Sequence, residues 1–219
     1  MRVTRAVLLV VAASALAAPA VAQAPAPRTE PGTGYRAYVV FDRVSFAAEQ
    51  SFDAILGKTS LGAIGAGGEF RFWKGLFARG AFSTMEETGT RAFIVSGQPV
   101  SVGVPLTVEV RPIEIAAGWR LPLDRGRRFV AYGGGGLLFV TYRETSDFAE
   151  PGDNVDDSFT GYSAFGGFDV RIWRLVSAGV EVQYRTVPDA LGREGSISAA
   201  FDETDLGGAA IRFLVGIRK

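Results

Sequence analysis

Residues 67–82 read GGEFRFWKGLFARGAF and set Glu69, Arg71 and Arg79 among aromatic and small residues, with a tryptophan beside a glycine turn. A partial echo, GGFDVRIWRLVSAGVEV, spans 166–182 and again places a carboxylate and an arginine just ahead of a tryptophan. In a β-strand successive side chains point to opposite faces. Over 63–72 that rule gathers Ile64, Ala66, Gly68, Phe70 and Phe72 on one face, and Ala63, Gly65, Gly67, Glu69 and Arg71 on the other. One face is greasy and the other small or charged.

The split recurs outward along the chain. Ala164, Gly166, Phe168, Val170 and Ile172 oppose Ser163, Phe165, Gly167, Asp169 and Arg171, while Val176, Ala178, Val180, Val182 and Tyr184 oppose Ser177, Gly179, Glu181, Gln183 and Arg185. Applied throughout, the alternation predicts eight strands, near 35–45, 61–73, 76–86, 106–121, 128–143, 159–173, 175–187 and 205–218. The first and last are less regular, and the fifth, containing Gly133 to Gly136, is apolar on both faces. In the fourth, Leu106, Val108 and Val110 occupy one phase and Ile113, Ile115, Ala117 and Trp119 the other, which predicts a bulge at Pro112.

The connections alternate in length. Trp73-Lys74-Gly75, Pro122 to Gly126 and Trp173-Arg174 are tight; 47–60, 86–105, 144–158 and 188–203 are long. Short turns on one rim and long loops on the other mark a transmembrane β-barrel of the outer-membrane type. The long loops are acidic, with Lys58, Arg91 and Arg193 as their bases, whereas Lys74, Arg125, Arg127, Arg128, Arg174, Arg218 and Lys219 gather at the short-turn rim. Trp73, Trp119 and Trp173 fall at the short-turn end, and Phe82, Tyr142, Tyr162 and Tyr184 lie toward the long loops, as two interfacial aromatic girdles would. By strict alternation Trp73 and Trp173 belong to the inward set, so either the turns reorient them or they floor the barrel. The loop 86–105 is unusually apolar; it extends the barrel as a hairpin, offers a contact surface, or supplies strands for a ten-stranded alternative.

An arginine facing lipid near the bilayer midplane costs roughly 2–4 kcal/mol, so the charged phase must face the lumen. An eight-stranded barrel has an interior just wide enough for side chains to fill it. Glu69, Glu114, Asp169 and Glu181 are therefore expected to pair inside with Arg71, Arg79, Arg120, Arg171, Arg185 and Arg212. Such packing implies a plugged lumen; an ion-selective pore is the functional alternative.

The amino terminus fits export. MRVTR, the apolar AVLLVVAASALAAP and Ala20-Val21-Ala22 read as a secretory signal over 1–22, and 23–34 as a flexible lead-in to a single barrel domain over 35–219. The formal charge balances at 23 basic and 23 acidic residues, which implies no nucleic-acid surface.

FRFWKGLFARG, VRPIEIAAGWRLPL followed by RRFVAYGGGGLLFVTYRE, and AGVEVQYR together resemble the small bacterial outer-membrane β-barrels of the OmpA, OmpX and opacity-protein type. The resemblance covers nearly all of the chain after the signal. It implies residence in a Gram-negative outer membrane in contact with its lipid, insertion by the barrel-assembly machinery, and roles as structural barrels, adhesins or narrow channels. Such barrels typically end in an aromatic residue, whereas this chain ends IRFLVGIRK and offers Phe213 for that part.

Enzymatic chemistry finds little support. The chain holds neither cysteine nor histidine, which removes thiolate nucleophiles, the usual general base and the commonest transition-metal ligand. Gly133–Gly136 and GAIGAGG at 62–68 lack the Lys-Ser/Thr of a phosphate loop. Asp153, Asp156 and Asp157 are oxygen-rich but match no full calcium loop. The expectation is an outer-membrane barrel without cofactor or catalytic site, with a structural or surface-interaction role through its acidic loops. The alternatives are a narrow channel, a transporter of small hydrophobic molecules, or a secreted soluble barrel around an apolar ligand.

Overall fold

The computed structural model describes residues 33–95, 98–148, 154–193 and 196–219. The expected signal and nearly all of the lead-in lie outside the described residues. Eight strands follow one another around a closed antiparallel barrel: β1 (Gly34–Phe46), β2 (Ser60–Trp73), β3 (Leu76–Val95), β4 (Gln98–Pro122), β5 (Phe129–Thr145), β6 (Val155–Arg171), β7 (Val176–Thr186) and β8 (Gly208–Arg218). Each strand pairs with its sequence neighbour, and β8 returns to β1, so no edge is left open to lipid. Two short helices sit in the long connections: α1 (Glu49–Leu56) between β1 and β2, and α2 (Ile197–Ala200) between β7 and β8.

The short turns follow from local chemistry. Trp73 pairs with Leu76 across Lys74 (φ 44°) and Gly75 (φ 90°). Two positive φ values in a two-residue loop make the hairpin turn whose twist matches the strands, and glycine adopts that conformation without cost. In the β4–β5 turn, Asp124 Oδ1 accepts the Phe129 amide at 2.7 Å.

The loop 86–105 resolves as a hairpin extension. β3 and β4 run on past the other strands to Val95 and Gln98, with a register shift between Thr90 and Ala92 where Gly103 takes φ 70°. The barrel has eight strands, so the ten-stranded alternative is excluded.

No bulge occurs at Pro112. Leu106, Val108, Val110, Pro112, Glu114, Ala116 and Arg120 all face inward in one unbroken phase, and the β4–β5 register is continuous. The pairing to β3 runs from Phe82 with Ile113 to Met85 with Val110 without slipping. What changes along β4 is the polarity of each face. Near the short turns the inner face is charged and the outer face apolar. Toward the long loops Glu109 and Arg111 face outward, and Leu106, Val108 and Val110 join an apolar core with Val44, Phe46, Phe52, Leu56, Met85, Leu138, Val140 and Val187. The molecule is inside out in its lower part and ordinary in its upper part.

Candidate functional site

Among the described residues ten charged side chains are buried, and they balance: Arg36, Arg79, Arg120, Arg185 and Arg212 against Asp42, Glu69, Glu114, Asp169 and Glu181. They occupy two layers of the lumen, each electrically neutral. In the layer nearer the short turns, Arg36 donates to both oxygens of Asp169 at 2.8 and 2.9 Å, and Arg120 joins Asp169 to Glu69, donating to the latter at 2.9 and 3.1 Å. In the upper layer, Arg79 donates to Glu181 at 2.5 and 3.0 Å and to Glu114 at 3.1 Å. Arg212 reaches Asp42 at 2.9 Å and both glutamates at 3.1 Å, and Arg185 closes the layer on Asp42 at 3.1 Å. Ser163 Oγ and Gln183 Nε2 each donate to Glu114 at 2.8 Å.

Aromatic rings fill the space beside these groups. Arg79 lies 3.5 Å above the Phe165 ring, Arg36 5.2 Å from Tyr38 and Arg120 5.0 Å from Tyr132. Phe77, Tyr132 and Phe165 cluster on one side, and Tyr38, Val40 and Leu214 on the other.

Of the residues predicted for this network, the structure brings together Glu69, Arg79, Glu114, Arg120, Asp169, Glu181, Arg185 and Arg212. Arg71 and Arg171 sit elsewhere. Arg71 donates to the Lys219 carbonyl at 3.0 Å and Arg171 to the Gly126 carbonyl at 2.6 Å, both at the short-turn rim. They stand at the ends of β2 and β6, where the barrel opens and a guanidinium reaches a backbone carbonyl of the C-terminal residue or of the β4–β5 turn. Arg36 and Asp42 were absent from the prediction. They share one phase of β1, and the aromatic residues on both faces of that strand obscured it.

The girdles need one correction. Tyr142 is 6% exposed and faces the upper core, donating its hydroxyl proton to Glu144 at 2.5 Å. It shares the phase of Leu138 and Val140, and Thr141 and Arg143 are not in that phase. Phe82, Tyr162, Tyr184, Trp73, Trp119 and Trp173 are exposed on the outside. Trp73 escapes the inward phase because the register shifts between Arg71 and Trp73, and Trp173 because it lies in the turn after β6. The turns reorient both rings; neither floors the barrel.

At the opposite end α1 and α2 close over the apolar core. Glu203 accepts the Gln50 amide at 2.9 Å and the Ser51 amide and hydroxyl at 2.8 and 2.6 Å, pinning the N-terminus of α1. Phe46 and Phe52 stack with ring centroids 3.9 Å apart. Asp156 and Asp157 are held by Arg143 at 3.0 Å and Arg193 at 2.7 Å, while Asp153 lies outside the described residues. Among the described residues no group of three or more potential metal ligands forms.

A family model for the outer membrane protein beta-barrel domain matches residues 7–216. The chain belongs to that family. This outer-membrane barrel matches no curated protein sequence. Solved structures share its fold at low identity. OprG from Pseudomonas aeruginosa superposes with a TM-score of 0.57 at 12% identity, covering 88% of this chain and 99% of that one. Ail from Yersinia pestis, solved with the heparin analogue sucrose octasulfate, gives 0.53 at 11%, covering 86% and 100%. Neisserial surface protein A gives 0.52 at 11%, covering 86% and 96%. In the outer membrane the barrel's greasy outer face, with Ile64, Ile113, Ile115, Phe168, Val180, Val182 and Phe213 exposed, meets lipid.

Proposed function

We propose that this outer-membrane barrel is a sealed structural scaffold that presents an acidic mouth to the outside, and that it neither conducts ions nor catalyses a reaction. The observation that carries the reading is the lumen: two neutral layers of bidentate and bridged ion pairs, packed with rings, across a barrel only wide enough for side chains. A permeating ion would have to break the charge-assisted hydrogen bonds that span the lumen. Insertion by the barrel-assembly machinery is part of the proposal.

The outer rim carries Glu86, Asp147, Asp189 and Asp202 beyond the acids already paired or capping, and Glu87 is paired with Lys58 at 2.9 Å. Ail was solved with a polyanion; the carboxylates here favour a cationic surface partner instead. Planar-bilayer recording of the purified barrel tests the sealed lumen. The expected result is a silent membrane. Steady conductance that disappears on substitution of Arg79 or Glu114 would establish a channel and defeat the reading.

A further inference from the structure

The upper end of the barrel holds a cavity of about 250 Å³ bounded by α1, the β3–β4 extension, the end of β5 and α2. Phe52, Ile55, Leu106, Val108, Leu191 and Ile197 supply apolar walls, and Tyr142 and Glu144 form a polar side. We propose that this cavity is a binding site for a compact, neutral amphipath: a small apolar body, on the scale of one ring, carrying a hydroxyl that donates to Glu144.

The cavity's size bounds the guest. Drug-sized ligands occupy sites of roughly 300–1,000 Å³, so the guest is smaller than these. Its polarity follows from the lining. Glu144 accepts the Tyr142 proton at 2.5 Å, and an ionised carboxylate has about four lone-pair sites, leaving acceptor capacity for a second donor. An acidic guest would meet the Glu144 carboxylate, a penalty that a neutral hydroxyl avoids.

The walls are built in advance. The Phe46–Phe52 stack and the Glu203 clamp fix α1, and α1 approaches β3 so closely that a Cβ on Gly89 would lie 2.1 Å from the Ile55 carbonyl oxygen. Ser196 Oγ accepts the Ala199 amide at 3.2 Å, and Ser198 Oγ accepts the Gly192 amide at 2.9 Å, fixing α2 and the segment before it. A rigid, preformed pocket loses little freedom on binding. The site needs only the mouth of the barrel, so a conducting lumen would leave it standing, and an empty pocket would leave the sealed lumen standing.

The full chain in lipid nanodiscs is titrated with 4-methylphenol and followed by amide chemical shifts. The expected result is saturable one-site binding with shifts confined to residues 51–56, 106–108, 142–144 and 196–198. 4-Methylbenzoate and toluene should bind at least about tenfold more weakly, since the part-buried Glu144 acceptor disfavours analogues that cannot donate to it. Glu144→Leu should weaken the phenol by about the same factor. Leu106→Trp should fill the cavity, and Ala92→Trp, at its rim, provides the same block without touching the core. Non-saturating shifts spread over lipid-facing residues, equal binding of all three probes, or affinity unchanged in both tryptophan variants would overturn the site.

Discussion

Glu181 is 0% exposed and accepts three charge-assisted hydrogen bonds, from Arg79 at 2.5 and 3.0 Å and from Arg212 at 3.1 Å. Glu181→Gln removes the charge with little change of shape and leaves the upper layer with three arginines facing two carboxylates. Hydrogen bonds to charged groups contribute about 1.5–3 kcal/mol each, so the gross loss is on the order of 5–9 kcal/mol. Rearrangement of Arg79 and Arg212 toward Glu114 and Asp42 offsets part of it, and breaking a buried pair typically costs about 3–5 kcal/mol. We expect that range. Arg79→Gln combined with Glu181→Gln restores neutrality, with two arginines facing two carboxylates, and should cost less than the sum of the single variants by at least about 1 kcal/mol. Reversible urea unfolding in lipid vesicles, read by fluorescence of the rim tryptophans, measures all four proteins. Additive costs, or a Glu181→Gln loss within about 0.5 kcal/mol of zero, would refute a coupled network.

Four further expectations follow from other parts of the barrel. Ile115→Arg puts a cation on the lipid face and should cost about 2–4 kcal/mol, whereas Glu86→Arg, opposite Glu109 across the ladder, should be neutral or stabilising in the same urea assay. Gly67→Ala should cost about 1–3 kcal/mol, because its Cβ would lie 2.6 Å from the Tyr38 ring; adjacent Gly68, with 3.8 Å to its nearest neighbour, should tolerate alanine better by the same measurement. Glu203→Ala removes the clamp on α1 and should speed amide exchange over 50–56 several-fold while the strand amides hold. Hydrogen bonding from the Phe129 amide holds the Asp124 carboxyl below its ordinary 3.8. Its contribution to the turn is therefore present above the unfolded value and lost as pH falls through the lowered one. An NMR titration of Asp124 should show the lowered midpoint.

The fold was legible because two independent patterns agreed. Period-two alternation in 163–172 and 176–185 set the lipid face, and the alternation of tight turns with long connections set the up-and-down order. The charged lumen was legible wherever a charge fell mid-strand two residues after a glycine on the same face, as at Glu69, Asp169 and Glu181. Four features were hidden for physical reasons. The polarity of the two faces inverts above the membrane, so Leu106, Val108 and Val110 looked like lipid-facing residues out of phase and suggested a bulge at Pro112. In β1, Tyr35 and Phe41 point outward and Tyr38 inward, which obscured the phase shared by Arg36 and Asp42. At strand ends alternation no longer binds a side chain to the lumen, so Arg71 bonds the Lys219 carbonyl and Arg171 the Gly126 carbonyl instead. The helix α1 left little trace, because eight residues with no side-chain cap draw their N-terminal partner from Glu203, far along the chain.

Site-directed spin labelling in outer-membrane lipid vesicles addresses the inside-out sorting itself. Labels at Ile64, Ile115, Phe168 and Val180 should collide readily with oxygen dissolved in the acyl chains and hardly at all with a water-soluble nickel complex. A label at Ala81, which faces the lumen beside Glu114 of the upper charged layer, should be immobile and shielded from both. If the nickel complex instead reaches Ala81 while oxygen fails to reach Ile115 and Phe168, lipid does not cover the aliphatic face, the lumen is not sealed, and the charges do not form a closed interior.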